Sequence, residues 1–125
     1  MIEVMVVDDS PSIRASVSSI LKGAGHHVVE ADCGEKALAL LTKDGTKPDL
    51  FIVDLNMPGI DGIEVIRRVR GLPGHRFTPA LMLTTEGAGE KRQEAKAAGA
   101  SGWLVKPIGP ADLLRVVKQV CPKAG

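Results

Sequence analysis

The short segment VVDDSP, residues 6–11, runs from apolar residues directly into two adjacent carboxylates and a Ser-Pro pair. Two unit charges about 5 Å apart repel by about 3 kcal/mol at an effective dielectric constant of about 20. Solvent, a cation or a helix terminus must offset that repulsion. Asp8 and Asp9 are therefore the first candidates for chemistry in this chain.

Three further apolar runs end in a polar side chain, which is Asp54, Thr84 or Lys106. In an open parallel sheet, ligands bind outside the carboxyl ends of the strands. If the first and third strands are neighbours, three carboxylates converge, and a hard divalent cation such as Mg²⁺ is their natural partner. Each residue alone has an ordinary role at a strand end or helix start, so the prediction rests on their conjunction.

The elements that must position these residues are indicated by an alternation of two patterns. Apolar runs of strand length occupy residues 2–7, 27–31, 50–53, 80–83 and 103–105, and stretches with helical spacing of apolar residues lie between them. This alternation is typical of repeated βα units around a parallel sheet. We therefore predict five strands and five helices in one α/β domain.

Helix boundaries agree with this count. Ser10-Pro11 provides an N-cap and a first-turn proline, and Gly109-Pro110 opens the last helix. Gly25 and Gly99 stand where helices should end. The fourth helical stretch, residues 87–100, offers nothing larger than Ala to a buried face, so we expect it to be weakly packed.

The composition narrows the functional class. The chain has 125 residues, of which 44% are hydrophobic and 25% charged, with a net charge of +1. These values are typical of a globular domain and give no electrostatic reason to expect nucleic acid. We find neither a signal-type leader nor an apolar run near the ~20 residues that span a bilayer, so we expect a cytoplasmic protein. The two cysteines and three histidines lack zinc-ligand spacing and are interpreted as free thiols and loop or strand-edge residues.

Four motifs, VVDDSPSIR, DLNMPGIDG, MLTTE and GASGWLVKP, together resemble the receiver domains of two-component response regulators over essentially the whole chain. The stand-alone chemotaxis regulators of the CheY type are the most similar subgroup. The resemblance implies a flavodoxin-like (βα)5 sandwich with a parallel sheet of order 2-1-3-4-5 and helices on both faces. It also implies a single receiver domain over residues 1–125, without an output domain.

The resemblance assigns roles to individual residues. It implies that Asp54 is the phosphoacceptor and that Mg²⁺, or Mn²⁺ as a substitute, is held by Asp8, Asp9, Asp54 and the backbone carbonyl of Asn56. Thr84 matches the switch hydroxyl, and Lys106 matches the lysine that pairs with the phosphoryl group. Asn56 and Glu86 occupy the positions that tune dephosphorylation, and the Lys106–Pro107 peptide is implied to be cis.

Two departures from the family pattern concern the surface formed by the fourth helix, fifth strand and fifth helix. Trp103 occupies the position of an aromatic switch residue that is usually Tyr or Phe. An indole is larger and its N–H needs a partner when buried, so a static, partly exposed Trp103 is the alternative to inward rotation. Ile108 follows Lys106-Pro107 where many relatives have Phe, and the target that binds this surface is therefore open.

The leading prediction is a signalling module that takes a phosphoryl group from a histidine kinase and binds a protein target through that surface. One alternative is a haloacid-dehalogenase-like Mg²⁺ phosphatase, but that class has Asp-x-Asp where this chain has DLN at residues 54–56. Another is a flavin- or nucleotide-binding protein on a similar sheet, but no Gly-rich phosphate loop follows the first strand. We expect neither binding to nucleic acid nor insertion into a membrane.

Overall fold

The computed structural model describes residues 1–85 and 89–124. Its five strands are β1 Glu3–Val7, β2 His27–Ala31, β3 Leu50–Asp54, β4 Ala80–Thr84 and β5 Gly102–Val105. Its five helices are α1 Pro11–Gly23, α2 Gly34–Thr42, α3 Gly62–Arg70, α4 Gly89–Ala98 and α5 Pro110–Val120, followed by a 3-10 turn at Pro122–Ala124. The predicted strands differ from these bounds by one residue or not at all.

The strands form one parallel sheet of order β2-β1-β3-β4-β5, which confirms the predicted fold class. β1 pairs with both β2 and β3, so the chain reverses direction along the sheet between them. This reversal creates the crevice in which such sheets place their ligands.

Helices cover both faces of the sheet. All residues of β3 and β4 are buried, as expected for central parallel strands that have a helix layer on each side. One core lies under α2, α3 and α4 and includes Ala37, Ile66 and Ala95. The other lies under α1 and α5 and includes Leu21 and Leu113.

The helix boundaries follow their capping chemistry. The Ser10 hydroxyl accepts a hydrogen bond from the Ile13 N–H at 3.4 Å and caps α1, as predicted. Gly25 and Gly99 follow α1 and α4 with φ of +91° and +110°, a conformation that favours glycine. Gly109 caps α5 and Pro110 is its first residue.

The fourth helix is packed as weakly as its composition predicted. Among the described residues of α4, only Ala95 is buried, whereas α3 buries five residues that include Ile63, Val65 and Val69. An alanine side chain contributes little apolar area, so α4 is held to the sheet less firmly than its neighbours. It lies against α3 and beside β5 at the edge of the sheet.

The cysteines and two of the histidines have structural roles. Cys33 and Cys121 are free thiols, and the Cys33 sulfur caps α2 by accepting from the Lys36 N–H. His26 is buried and its Nδ1 accepts a hydrogen bond from the Ile2 N–H at 3.2 Å. His75 lies in the loop before β4, as predicted, and its ring is buried edge-on against Phe51. Within the described ranges, no helix has both the length and the apolar character needed to cross a membrane.

Candidate functional site

Three carboxylates meet at the carboxyl edge of the sheet. Asp54 is the last residue of β3, and Asp8 follows β1, whose final residue Val7 pairs with Val53. Oxygen atoms of Asp8, Asp9 and Asp54 all lie within 4.8 Å of one another. The convergence predicted from neighbouring first and third strands is therefore observed.

The three carboxylates differ in exposure. Asp8 is fully buried and Asp54 is 5% exposed, whereas Asp9 is exposed to solvent. The cluster therefore opens to water on the side of Asp9. A buried carboxylate pair requires a positive partner, because the interior does not screen its repulsion.

Lys106 supplies that positive charge. Its Nζ lies 3.0 Å from Oδ2 of Asp8 and 3.1 Å from Oδ1 of Asp54, and its side chain is 12% exposed. The Lys106 N–H donates a 2.7 Å hydrogen bond to the Thr84 carbonyl, which fixes the start of the side chain beside β4. The Lys106–Pro107 peptide is cis, as the resemblance implied.

Burial and neighbouring charges shift the pKa values of Asp54 and Lys106. Burial, followed by the charge of Asp8, raises the pKa of Asp54 to about 6, and the bond from Lys106 opposes that rise. Burial lowers the pKa of Lys106, but its hydrogen bonds to Asp8 and Asp54 outweigh this effect and the net pKa is raised. Lys106 therefore stays charged, and a second cation at Asp54 would displace a proton from a fraction of the molecules near neutral pH.

The side chain and the backbone carbonyl of Asp8 are held by two residues that the sequence analysis did not assign to the site. Oδ1 of Asp8 accepts from the Ser10 N–H at 2.9 Å, and the Arg14 guanidinium donates to the Asp8 carbonyl at 2.7 Å. Arg14 also pairs with Glu30 of β2 at 3.2 Å. Its position one turn into a helix that follows two acids was the available signal for Arg14.

Gly62 is a third residue that the sequence analysis did not assign to the site. A Cβ at this position would lie 2.2 Å from the Asp54 carbonyl oxygen, so only glycine allows α3 to begin this close to β3. The Gly62 N–H donates to the Leu55 carbonyl at 2.9 Å and ties the start of α3 to the residue after Asp54. The signal was the GIDG segment, residues 59–62, directly before a helical stripe.

The remaining predicted site residues differ in their burial and in their position relative to the acids. Thr84 is the last residue of β4 and is 1% exposed, next to the strand that carries Asp54. Asn56 is exposed two residues beyond Asp54, and its role as a carbonyl ligand stays a prediction. Glu86 lies outside the described residues. Ligation and phosphoacceptance by the individual residues likewise stay predictions.

Trp103 lies on β5 with its side chain on the α4 side of the sheet. It pairs with Met82 of β4 and packs partly buried against the core under α2, α3 and α4. The Arg92 guanidinium carbon of α4 lies 5.3 Å from the centre of the Trp103 ring, within cation-π range. The indole Nε1–H is buried and has no hydrogen-bond partner among the described residues. Its rotation on activation stays a prediction.

The donor set fits a hard divalent cation. Three carboxylates within 4.8 Å of one another, one of them open to water, are the ligands that Mg²⁺ takes alongside retained waters. A soft or borderline metal such as zinc prefers sulfur or imidazole ligands, and the cluster contains neither. The residues present therefore suit Mg²⁺.

A doubly wound sheet of order 2-1-3-4-5 with buried acids, a lysine and a hydroxyl at one edge defines a signalling domain of the receiver class. The family model of the response regulator receiver domain matches residues 4–118. The chain belongs to this family.

Individual relatives agree with the family assignment. The structure of the chemotaxis protein CheY4 of Vibrio cholerae superposes with a TM-score of 0.91 at 48% identity, covering 96% of this chain and 98% of that one. The CheY-3 protein of Vibrio cholerae is 36% identical over 112 residues, which are 89% of this chain and 85% of the relative. The match to the response regulator RpfG of Xanthomonas campestris covers 90% of this chain but 30% of that longer phosphodiesterase.

The comparisons favour the receiver over the two alternatives. The family match and the CheY relatives support neither a haloacid-dehalogenase-like phosphatase nor a flavin or nucleotide carrier. The chain is therefore a CheY-like receiver of two-component signalling.

Proposed function

We propose that Asp54 accepts a phosphoryl group from a histidine kinase or phosphotransfer domain and that the modified domain then binds a protein target. The observation that carries the proposal is the position of Lys106 Nζ, which lies within 3.1 Å of both Asp8 and Asp54. An ammonium fixed beside a buried carboxylate is placed to pair with a phosphoryl group on that carboxylate.

The reaction requires positioning more than covalent help from the protein. The Asp54 carboxylate attacks phosphorus, an oxygen–phosphorus bond forms, and the bond from phosphorus to the donor's histidine nitrogen breaks with its electron pair returning to the imidazole. Lys106 pairs with the phosphoryl oxygens, and the Thr84 hydroxyl donates to one of them. Asp8, Asp9, Asp54 and the Asn56 carbonyl would hold Mg²⁺, or Mn²⁺ in its place. The bound ion supplies neutralisation of negative charge on the transferring group.

Phosphorylation would act by changing charge at one carboxylate. An acyl phosphate carries about two negative charges and three terminal acceptor oxygens, where the Asp54 carboxylate carried one negative charge. We infer that Thr84 moves toward these oxygens and that Trp103 responds on the neighbouring strand. The surface formed by α4, β5 and α5, on which Val105 is 43% exposed, would then bind the target.

The proposal also covers the cellular setting. We place the protein in the cytoplasm, as a single receiver domain over residues 1–125 that signals by binding. It would catalyse only its own phosphorylation and dephosphorylation, with Asn56 and Glu86 tuning the second reaction. Three roles in a pathway are open: regulation of a motor switch, an intermediate step of a phosphorelay, or a phosphate sink. Identifying the protein that binds the phosphorylated form distinguishes them.

The test is incubation with acetyl phosphate and Mg²⁺ followed by intact-mass measurement. The wild-type protein should gain the mass of one phosphoryl group, because a carboxylate nucleophile is in place and its charge is balanced. Asp54→Asn should gain none. A matched control is Asp49→Asn, which alters another aspartate paired with a lysine but at the opposite edge of the sheet. An unmodified wild type, or equal labelling of Asp54→Asn, would reject Asp54 as the phosphoacceptor.

A further inference from the structure

A groove of about 950 Å³ lies at the amino ends of β3 and β4, at the edge of the sheet opposite Asp54. We call it the basal groove. Its walls are the segment 47–49 before β3, the loop 73–79 before β4 and residues 120–123, which begin at the last residue of α5. The groove contains none of the residues assigned above to phosphorylation, and Val120, the last residue of α5, is its one lining residue from the elements of the output surface.

The basal groove exposes an aromatic ring. Phe77 is 85% exposed and is one of three large hydrophobic residues that are exposed among the described residues. The Arg76 guanidinium carbon lies 5.4 Å from the centre of this ring. Proline side chains extend the apolar wall at Pro48, Pro73, Pro79 and Pro122. An exposed ring in an apolar groove is typical of a surface that binds a partner.

The charges that line the basal groove are unbalanced. Lys47, Arg76 and Lys123 are exposed cations, and Asp49 is the carboxylate among the lining residues. Asp49 is already satisfied, since Oδ1 lies 2.7 Å from Lys123 Nζ and Oδ2 accepts from the Glu3 N–H at 2.9 Å. Lys47 and Arg76 therefore face the groove without a carboxylate from its lining to neutralise them.

Hydrogen bonds from Arg70 and Thr78 fix the conformation of the loop that carries Phe77. Arg70 Nη1 donates to the carbonyls of His75 and Thr78 at 2.9 and 2.6 Å, and Nη2 donates to the Gly99 carbonyl at 2.6 Å. The Thr78 hydroxyl bonds with His75 Nδ1 at 3.0 Å. A loop fixed in this way loses little conformational freedom when a ligand binds, which favours affinity.

We propose that the basal groove binds an acidic peptide segment of a partner protein, with an apolar side chain against Phe77 and carboxylates near Lys47 and Arg76. Charge complementarity selects the acidic partner, and the apolar walls select a peptide that carries an aromatic or aliphatic anchor. A nucleic acid is disfavoured, because the chain has a net charge of only +1 and the cations flank an apolar surface. Because the groove and Asp54 lie at opposite edges of the sheet, a partner bound in the groove stays bound while Asp54 gains and loses its phosphoryl group.

The test is a titration followed by ¹⁵N-¹H correlation spectra. The probe is a capped peptide of sequence Glu-Asp-Leu-Phe-Asp-Glu added to the full chain, with a Lys-Lys-Leu-Phe-Lys-Lys peptide for comparison. We expect saturable shifts confined to residues 47–49, 73–79 and 120–123 with the acidic peptide and none with the basic one. Affinity should fall at least fivefold between 50 and 300 mM salt, because exposed charges are screened.

Variants separate the two parts of the proposal. Phe77→Ala should weaken binding at least fivefold, and Lys47→Glu with Arg76→Glu should weaken it at least tenfold. The matched control is Lys36→Glu, an exposed lysine in the first turn of α2, which should retain wild-type affinity. Shifts that map outside the groove, equal binding of the basic peptide, tighter binding of a single-stranded oligonucleotide, or concentration-dependent self-association through Phe77 would each overturn the acidic-peptide assignment. A wild-type affinity in Asp54→Asn is expected, and its loss would overturn the independence of the two edges.

Discussion

At the scale of single residues, the site is a buried charge balance among Asp8, Asp54 and Lys106. Asp8 and Asp54 are almost fully removed from water, and one ammonium lies within 3.1 Å of both. Removing one partner of a buried pair is costly, because the remaining charge keeps its desolvation and loses its attraction. The balance can therefore be tested from either side of the pair.

Lys106→Met tests the cation. At pH 7.5 without divalent ions it should lower the free energy of unfolding by about 3 kcal/mol, since two carboxylates would then face each other in the interior. Urea unfolding followed by circular dichroism measures the change. The control is Lys123→Met, which removes an exposed lysine 2.7 Å from Asp49 and should cause a much smaller change. Equal losses in the two variants would contradict the buried balance.

Asp54→Asn tests the acid through pH. The pKa of Asp54 is about 6 in the native state and 3.8 when unfolded, so the native state binds more protons between these values. The stabilisation due to protonated Asp54 is complete below pH 3.8 and is lost as pH rises through about 6. The Asn variant lacks this loss. Its stability relative to wild type should therefore increase by about 1.4 kcal/mol from pH 5 to 7.5 in EDTA.

The same urea series at several pH values, run on Asp112→Asn, provides the reference for this titration. Asp112 is an exposed acid on α5, with a side chain 72% accessible to solvent. Its replacement shows how much of the difference comes from losing one negative charge outside the site. A flat difference for Asp54→Asn would show that Asp54 is ionised in the native state at pH 5 and that its burial is compensated.

At the scale of elements, the site depends on how close α3 begins to β3. Gly62→Ala would bring a Cβ to 2.2 Å from the Asp54 carbonyl oxygen and 3.0 Å from the Leu55 Cα. Backbone atoms cannot turn aside as side chains do, so we expect a loss of about 3 kcal/mol in unfolding free energy and slower phosphorylation of Asp54. Gly23→Ala, with no atom within 4 Å in the last turn of α1, should be neutral or slightly stabilising. Wild-type phosphorylation in a folded Gly62→Ala protein would show that this contact does not position Asp54.

The contact between α4 and β5 predicts a change in tryptophan fluorescence on activation. Trp103 is the single Trp in a chain without Tyr, so its emission reports this contact alone. Binding of beryllofluoride with Mg²⁺ should change that emission, because a ring 5.3 Å from Arg92 and weakly held by α4 is free to rearrange. Asp54→Asn should show no change under the same conditions. Unchanged emission in the wild type would argue against an aromatic switch in this protein.

One pattern in the sequence predicted both the strands and the acidic site. Apolar runs that end in Asp54, Thr84 or Lys106 mark strands whose carboxyl ends share an edge, and that edge is fixed once the strands are parallel. The close approach of Gly62 and the bond from Arg14 to Asp8 were not predicted, because both depend on distances between elements. The burial of His75 was missed for the same reason, since it requires Phe51 of β3 as its neighbour.

At the scale of the whole molecule, the two edges of the sheet carry opposite chemistry. The carboxyl edge collects acids around Lys106, and the amino edge collects the cations and the exposed Phe77 of the basal groove. The sheet between them is buried on both faces by α1 and α5 on one side and α2, α3 and α4 on the other. A ligand at either edge therefore stabilises the same cooperative core, which makes global stability a readout of binding.

Mg²⁺ should stabilise the whole domain through the acidic edge. At a free concentration 100 times its dissociation constant, a ligand that binds only the native state adds about 2.7 kcal/mol, which corresponds to a rise of roughly 10 °C in Tm for a domain of this size. Asp9→Asn is the sharpest variant, because Asp9 is exposed and forms no ion pair with Lys106 among the described contacts. In EDTA it should be at least as stable as wild type, because it removes one negative charge from the acid cluster. With Mg²⁺ it should lose most of the rise in Tm, whereas Asp112→Asn should keep the full rise. Differential scanning calorimetry gives both values, and a full Mg²⁺ response in Asp9→Asn would mean that the ion binds elsewhere.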